Sequence, residues 1–244
     1  MENKLLIEQY EMLLFQRDDL IKEGEQLHSQ YISIFGEWIN EIYKLKIECI
    51  ALKKKISYCQ KMTNTASPII ASQLEAYVSE QMAGYYAQLE YMVEEYKCSK
   101  QSKPISSALV SHIKKLYRRI VKKIHPDWNP ALFESLEVQE LWNKIQDAYN
   151  RNDLEALMEC EVLVNKYAQA EIQIDHIEEK TKKLEEQIHT IQTTIPYLYK
   201  DLLKDDNKIQ QKKEELGKEL ESFKIYSNQL QDLFSQFHLE RMVS

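Results

Sequence analysis

A chain of 244 residues with only four Gly and five Pro, of which 29% are charged, has few places to turn and must be built from few, long elements. Its net charge of −7 argues against nucleic acid as the overall partner, so nucleic acid is not expected. The start of the chain lacks a signal peptide, no apolar run nears the length of a membrane span, and the cysteines have no C-x-x-C spacing. The expectation is a cytoplasmic all-α protein with reduced thiols, no membrane contact, no metal and no cofactor.

The elements follow in chain order. Apolar and aromatic positions at alternating four- and three-residue steps run from Leu6 through Tyr10, Leu13 and Leu20 to Leu27 and Tyr31. After one extra residue they resume at Phe35, Trp38, Ile42, Leu45, Cys49, Leu52 and Ile56. This is a heptad seam with one stutter, interrupted by Gly24 and Gly36, where a bend is expected. Thr63 to Pro68 breaks the pattern, with Ser67 as a capping residue, and a second helix is predicted to about Lys97. Its stripe is Ile70, Leu74, Tyr77, Tyr85, Leu89, Met92 and Tyr96. A short connection between long helices predicts an antiparallel hairpin over residues 1–99.

The stretch 100–163 reads as a separate module. Between Gln101 and Pro130 there are seven Lys/Arg and one acid, a net of +6 that leaves −13 for the rest of the chain. A helix is predicted from Ser107 to Ile124, with Val110, Ile113, Leu116, Tyr117, Ile120, Val121 and Ile124 on the apolar face. Its other face gathers Lys114, Lys115, Arg118, Arg119, Lys122 and Lys123. The helix stops at His125-Pro126-Asp127, where Pro126 biases His125 to an extended conformation. A carboxylate just past a helix C-terminus faces an unfavourable dipole, so Asp127 is expected to seek a cation from an external partner. A second amphipathic helix is predicted from Glu134 to Tyr149, with Val138, Leu141, Trp142, Ile145, Ala148 and Tyr149 inward.

Beyond Asn152 or Asp153 as a cap, one seam runs through Leu163, Tyr167, Ala170, Ile174, Ile177, Leu184, Ile188 and Ile195 to Pro196. A last helix from about Asp205 carries Ile209, Leu216, Leu220, Phe223, Leu230, Phe234 and Phe237. These predict a second coiled-coil hairpin over residues 164–244.

The run Tyr117-Arg118-Arg119-Ile120, the tripeptide His125-Pro126-Asp127 and the following Leu141-Trp142-Asn143-Lys144-Ile145-Gln146-Asp147-Ala148-Tyr149 resemble the second helix, loop and third helix of a J-domain. That domain is the Hsp70-activating module of DnaJ-type co-chaperones, and the resemblance covers roughly Ser107 to Asp153. It implies that His125, Pro126 and Asp127 form the loop that engages an Hsp70 (DnaK-type) ATPase domain and triggers hydrolysis. It further implies that Lys114, Tyr117, Arg118, Arg119 and Lys122 lie on the face that docks to that domain's acidic surface. The family's first helix is not recognisable before Ser107, and the end of the second long helix (Leu89, Met92, Val93, Tyr96) is expected to replace it. Gly/Phe-rich and zinc-binding segments are missing, and Ile124 stands where an aromatic residue often precedes the histidine.

With no nucleophile, metal cluster or phosphate loop, no intrinsic catalysis and no catalytic residue are expected. The sequence thus reads as an atypical co-chaperone whose coiled-coil arms hold a client, a partner or a second copy in a homodimer. The rival is a structural coiled-coil scaffold with a vestigial J-like module.

Overall fold

The computed structural model describes residues 2–101, 106–167 and 176–237, and among them there are eight α-helices and no strand. The fold is all-α. The helices are α1 (Glu2–Asn64), α2 (Ala71–Gln101), α3 (Ser107–Ile124), α4 (Leu136–Asn150), α5 (Leu154–Val164), α6 (Ile177–Thr193), α7 (Tyr199–Leu203) and α8 (Asp206–Ser235). None of the described helices is long and apolar enough to cross a membrane.

The chain divides into two compact units: residues 1–27 with 103–198, and residues 28–102 with 199–244. These are not the divisions expected at 99/100 and 163/164. Helix α1 crosses the boundary between Leu27 and His28 without interruption, so one helix serves two cores.

The first unit is built on α3 and α4. Ser106 caps α3 by accepting from the Leu109 amide at 3.2 Å, and its apolar face is buried from Ile113 to Ile124 as predicted. All six inward positions of α4 are buried, while Glu134, expected as its start, ends a short 3₁₀ turn (Leu132–Glu134) and the helix begins at Leu136. Tyr117 stacks on Tyr149 with centroids 3.8 Å apart, and His125 meets the Trp142 ring edge-on at 5.2 Å. These two pairings, the later residue meeting the middle of α4 and the earlier one meeting its end, set α3 and α4 antiparallel. Asp153 caps α5 by accepting from the Ala156 amide at 3.0 Å, and Leu157, Cys160 and Val164 close the same core. Helix α6 adds Ile177 and Leu184.

The remaining wall comes from the start of the chain. Tyr10, Leu14 and Phe15 of α1 are buried in this cluster. The expectation that Leu89, Met92, Val93 and Tyr96 would take the place of a first helix is therefore corrected. Those residues belong to the second unit, where Leu89 packs against its core. The single seam from Leu163 to Ile195 is also corrected: α5 ends at Val164 with Asn165 as its cap, and α6 starts at Ile177. Ala170 and Ile174 lie outside the described residues.

In the second unit, Ile47, Ala51 and Cys59 of α1 pack with Leu74, Val78 and Met82 of α2. The stripe of α2 is rotated from the predicted one, since Tyr77 and Tyr85 are exposed while Val78 and Met82 are buried. Helix α8, capped by Asp205, adds Leu216, which packs with Phe35 and Ile42. Residues 164–244, expected as one hairpin, are shared between the units: α6 packs in the first core and α8 in the second.

Gly36 is a point of close approach. A Cβ placed there would lie 2.5 Å from Cδ2 and 3.2 Å from Cγ of Tyr96 on α2, too near a stiff ring to relax cheaply. Gly36→Ala is expected to destabilise this unit by about 1 kcal/mol, because overpacking outweighs the helix-propensity gain. Gly84→Ala, with open space around it, should instead stabilise by up to about 1 kcal/mol. Thermal melts of the two variants read this opposite sign.

Candidate functional site: the basic helix and its loop

The loop after α3 is organised by backbone economy. His125 is extended (φ −59°, ψ 134°), and its amide still donates to the Val121 carbonyl at 2.9 Å. Its own carbonyl accepts from the amides of Trp128 and Asn129, each at 3.0 Å. The Asn129 side chain donates back to the Lys123 carbonyl at 3.1 Å. These bonds give the orphan carbonyl of Lys123 a partner and hold a compact turn of Pro126, Asp127 and Trp128.

His125 is 3% exposed, lying between Trp128 and Trp142. Its Nδ1 accepts from the Asp127 amide at 3.1 Å, which requires the neutral ring. Burial pushes its pKa down to about 4, with Arg17 and Lys180 pushing the same way against the pull of Asp127. This histidine shapes the loop from within and presents no surface.

Asp127 is the loop's half-buried charge, with a third of its side chain accessible. It accepts from the Tyr10 hydroxyl of α1 and forms an ion pair with Lys180 of α6 at 3.2 Å. Partial burial pushes its pKa up, but the Tyr10 hydrogen bond, His125 and Lys180 outweigh this and hold the carboxyl below its usual range. The cation expected from outside is therefore supplied by this chain, 53 residues further along.

The basic face of α3 is bordered on two sides. Lys114, Arg118 and Lys122, at four-residue steps, meet the acids of α1. Lys114 and Arg118 share Asp19 at 3.2 and 2.9 Å, and Lys122 reaches Glu11 at 2.5 Å. On the other flank Arg119 pairs with Glu161, and Lys123 donates to Asn165 at 2.5 Å. The side chains of Lys114, Arg118, Arg119 and Lys122 nevertheless remain 36–60% accessible. Such pairs contribute only about 0–1 kcal/mol each and exchange readily. An open cleft of about 480 Å³ between α1 and α3, lined in part by Met12, Lys114 and Arg118, leaves solvent on this stripe.

Tyr117 is not on that face. It is 3% exposed, stacked on Tyr149, and its hydroxyl donates to Asp18 at 2.9 Å, so its expected docking role is corrected to a core role. Its hydroxyl pKa is raised by burial first and then by Asp18. Lys22, also buried, donates to the Tyr149 carbonyl at 2.7 Å and lies over that ring at 3.8 Å. Burial and then nearby Lys114 lower its pKa to about 8.

The structure thus brings Asp127 and the Lys114–Arg118–Lys122 stripe onto the side of α3 that faces α1. Arg119 is set on the opposite flank, and His125 and Tyr117 are turned inward. Sequence reasoning missed Tyr10, Lys180, Glu11, Asp18 and Asp19. A signal existed for the acids: Glu11, Asp18 and Asp19 are spaced by seven and eight residues on one helix face, matching a stripe of cations at four-residue steps. For Lys180 there was none. Comparison with protein-family models, with curated proteins and with solved structures returned no match for this chain.

Proposed function

We propose that this chain is an atypical J-domain co-chaperone that docks on an Hsp70 (DnaK-type) ATPase domain through α3 and the His125-Pro126-Asp127 loop and stimulates its ATP hydrolysis. The observation that carries the reading is the division of labour in the loop. His125 is buried as its organiser, and Asp127 is left as an accessible carboxylate at the end of a basic stripe. A mere helix stop requires neither a neutral histidine locked onto the Asp127 amide nor a run of cations leading to it. An acidic protein surface with a cation beside it is the complementary shape. The arms of the second unit would hold a client or a second copy.

One observation favours the rival scaffold: Asp127 and the charged residues of the face already have partners within the chain. Single-turnover ATP hydrolysis separates the two. At saturating concentration the protein should accelerate hydrolysis by a DnaK-type Hsp70, and Asp127→Asn should abolish the effect while leaving the fold intact. Equal rates with and without the protein, whatever its concentration and equally when the Lys180–Asp127 pair is removed by Lys180→Gln, would leave the scaffold.

A further inference from the structure

The partners of the basic stripe and of Asp127 form a pattern of opposite signs. On the proposed function, α3 expects acids and Asp127 expects a cation. Along α1 the stripe finds Glu11 and Asp19, and at the loop Asp127 finds Lys180 with the Tyr10 hydroxyl beside it. Each type of group that an Hsp70 surface would present is thus already presented by this chain. We infer that α1 and α6 act as a built-in competitor for the Hsp70 docking face, holding the module in a self-covered state that an Hsp70 must displace.

The inference rests on the co-chaperone reading and adds regulation to it. The cover has two layers of different strength. Tyr10, Leu14 and Phe15 anchor α1 in the core, so the helix itself does not lift. The groups that block are polar tips: the Tyr10 hydroxyl, the Lys180 ammonium and the carboxylates of Glu11 and Asp19. Lys180 is 35% accessible and belongs to a different helix from the stripe, so it can swing away without disturbing α3. An incoming acidic surface exchanges like for like at each ion pair, which makes the cover displaceable yet sets a concentration threshold. Any change that removes the Lys180 charge lowers that threshold.

The test uses Tyr10→Phe/Lys180→Gln in the full chain, which keeps the ring in the core and removes only the two bonds to Asp127. The half-maximal concentration for stimulating single-turnover hydrolysis by a DnaK-type Hsp70 is measured for this variant, for the wild type and for Lys183→Gln. Lys183, the next lysine but one along α6, pairs with Glu179 on the same helix and serves as control. The double variant should act at about 5–10-fold lower concentration, from the loss of two hydrogen-bonded contacts in the competing state, and Lys183→Gln should match the wild type. A double variant with the wild-type midpoint overturns the self-cover and leaves the co-chaperone reading standing. Absence of stimulation by all three overturns both. A silent wild type with an active double variant supports both.

Discussion

Replacing Leu14 by Ala is expected to lower the stability of the first unit by about 2–5 kcal/mol, enough to threaten its folding. Leu14 is wholly buried and shares a core with Ile113, Leu116, Ile120, Val138 and Ile145, although some hundred residues separate it from the nearest of them. Its removal opens a cavity where α1 completes the wall left by α3, α4 and α5. Because the chain holds two units, a single transition cannot be assumed, and the reporter must be local. The tryptophans provide one: Trp128 and Trp142 lie in the first core and Trp38 in the second unit. In a Trp38→Phe background, fluorescence therefore follows urea unfolding of the first unit alone. Leu14→Ala should shift that transition strongly to lower urea. Leu89→Ala, at the position sequence reasoning chose for the same role, should leave it in place. The reverse result would mean that the end of α2, not the start of α1, completes the module.

That contrast marks where the sequence stops being readable. The bounds of α3 and its apolar face from Ile113 to Ile124 follow from local rules. A 3.6-residue period, a serine at the start and a proline after the end leave little choice. The inward face of α4 follows in the same way. The face that α1 turns to the core does not, because two of its buried positions are charged. Asp18 is buried with the Tyr117 hydroxyl and Arg17 as its partners, and Lys22 is buried against the Tyr149 carbonyl and ring. A periodicity rule places such residues outside, so a seam through Tyr10, Leu13 and Leu20 misses the buried Leu14 and Asp18. Only the tertiary partners reveal that these charges are satisfied.

The unit boundary was equally invisible, since a continuous helix carries no mark at Leu27 to say that its core partners change. For the candidate site, the physical argument about Asp127 was right in kind and wrong in address. A carboxylate beyond a helix C-terminus does require compensation, and it receives it from Lys180. No spacing rule links a loop to a lysine on a helix that was itself read as part of a longer coiled coil. The burial of His125 is equally hidden from local rules, because it depends on the Trp142 ring of α4 and on Trp128.

The second large effect is on pH. The first unit is expected to lose about 3 kcal/mol of stability as the pH falls from about 6.5 to 4, through His125. An unfolded histidine titrates near its ordinary value of about 6.5, whereas burial among Trp128 and Trp142 holds His125 down to about 4. Between those limits the unfolded chain binds a proton that the native chain refuses, so the unfolded state gains with each step down in pH. At about 1.4 kcal/mol per unit the window of roughly 2.5 units gives the stated figure, and above pH 6.5 this group contributes no slope. Asp127 adds to the loss further down. Its native carboxyl sits below its usual range, so the stability it contributes is present above the unfolded carboxylate value and disappears as the pH falls through its own lower one. The two groups act in sequence, histidine first. Urea midpoints of the Trp38→Phe protein at pH 7.5, 6, 5 and 4 trace the curve. His125→Gln should start lower at pH 7.5, since it disturbs the packing between the two tryptophans, and then stay nearly level down to pH 4.5. A wild-type curve that is flat between pH 6.5 and 4.5, or a His125→Gln curve that falls in parallel with it, would show that His125 takes up its proton in the folded chain. The neutral ring would then not be what holds the loop together.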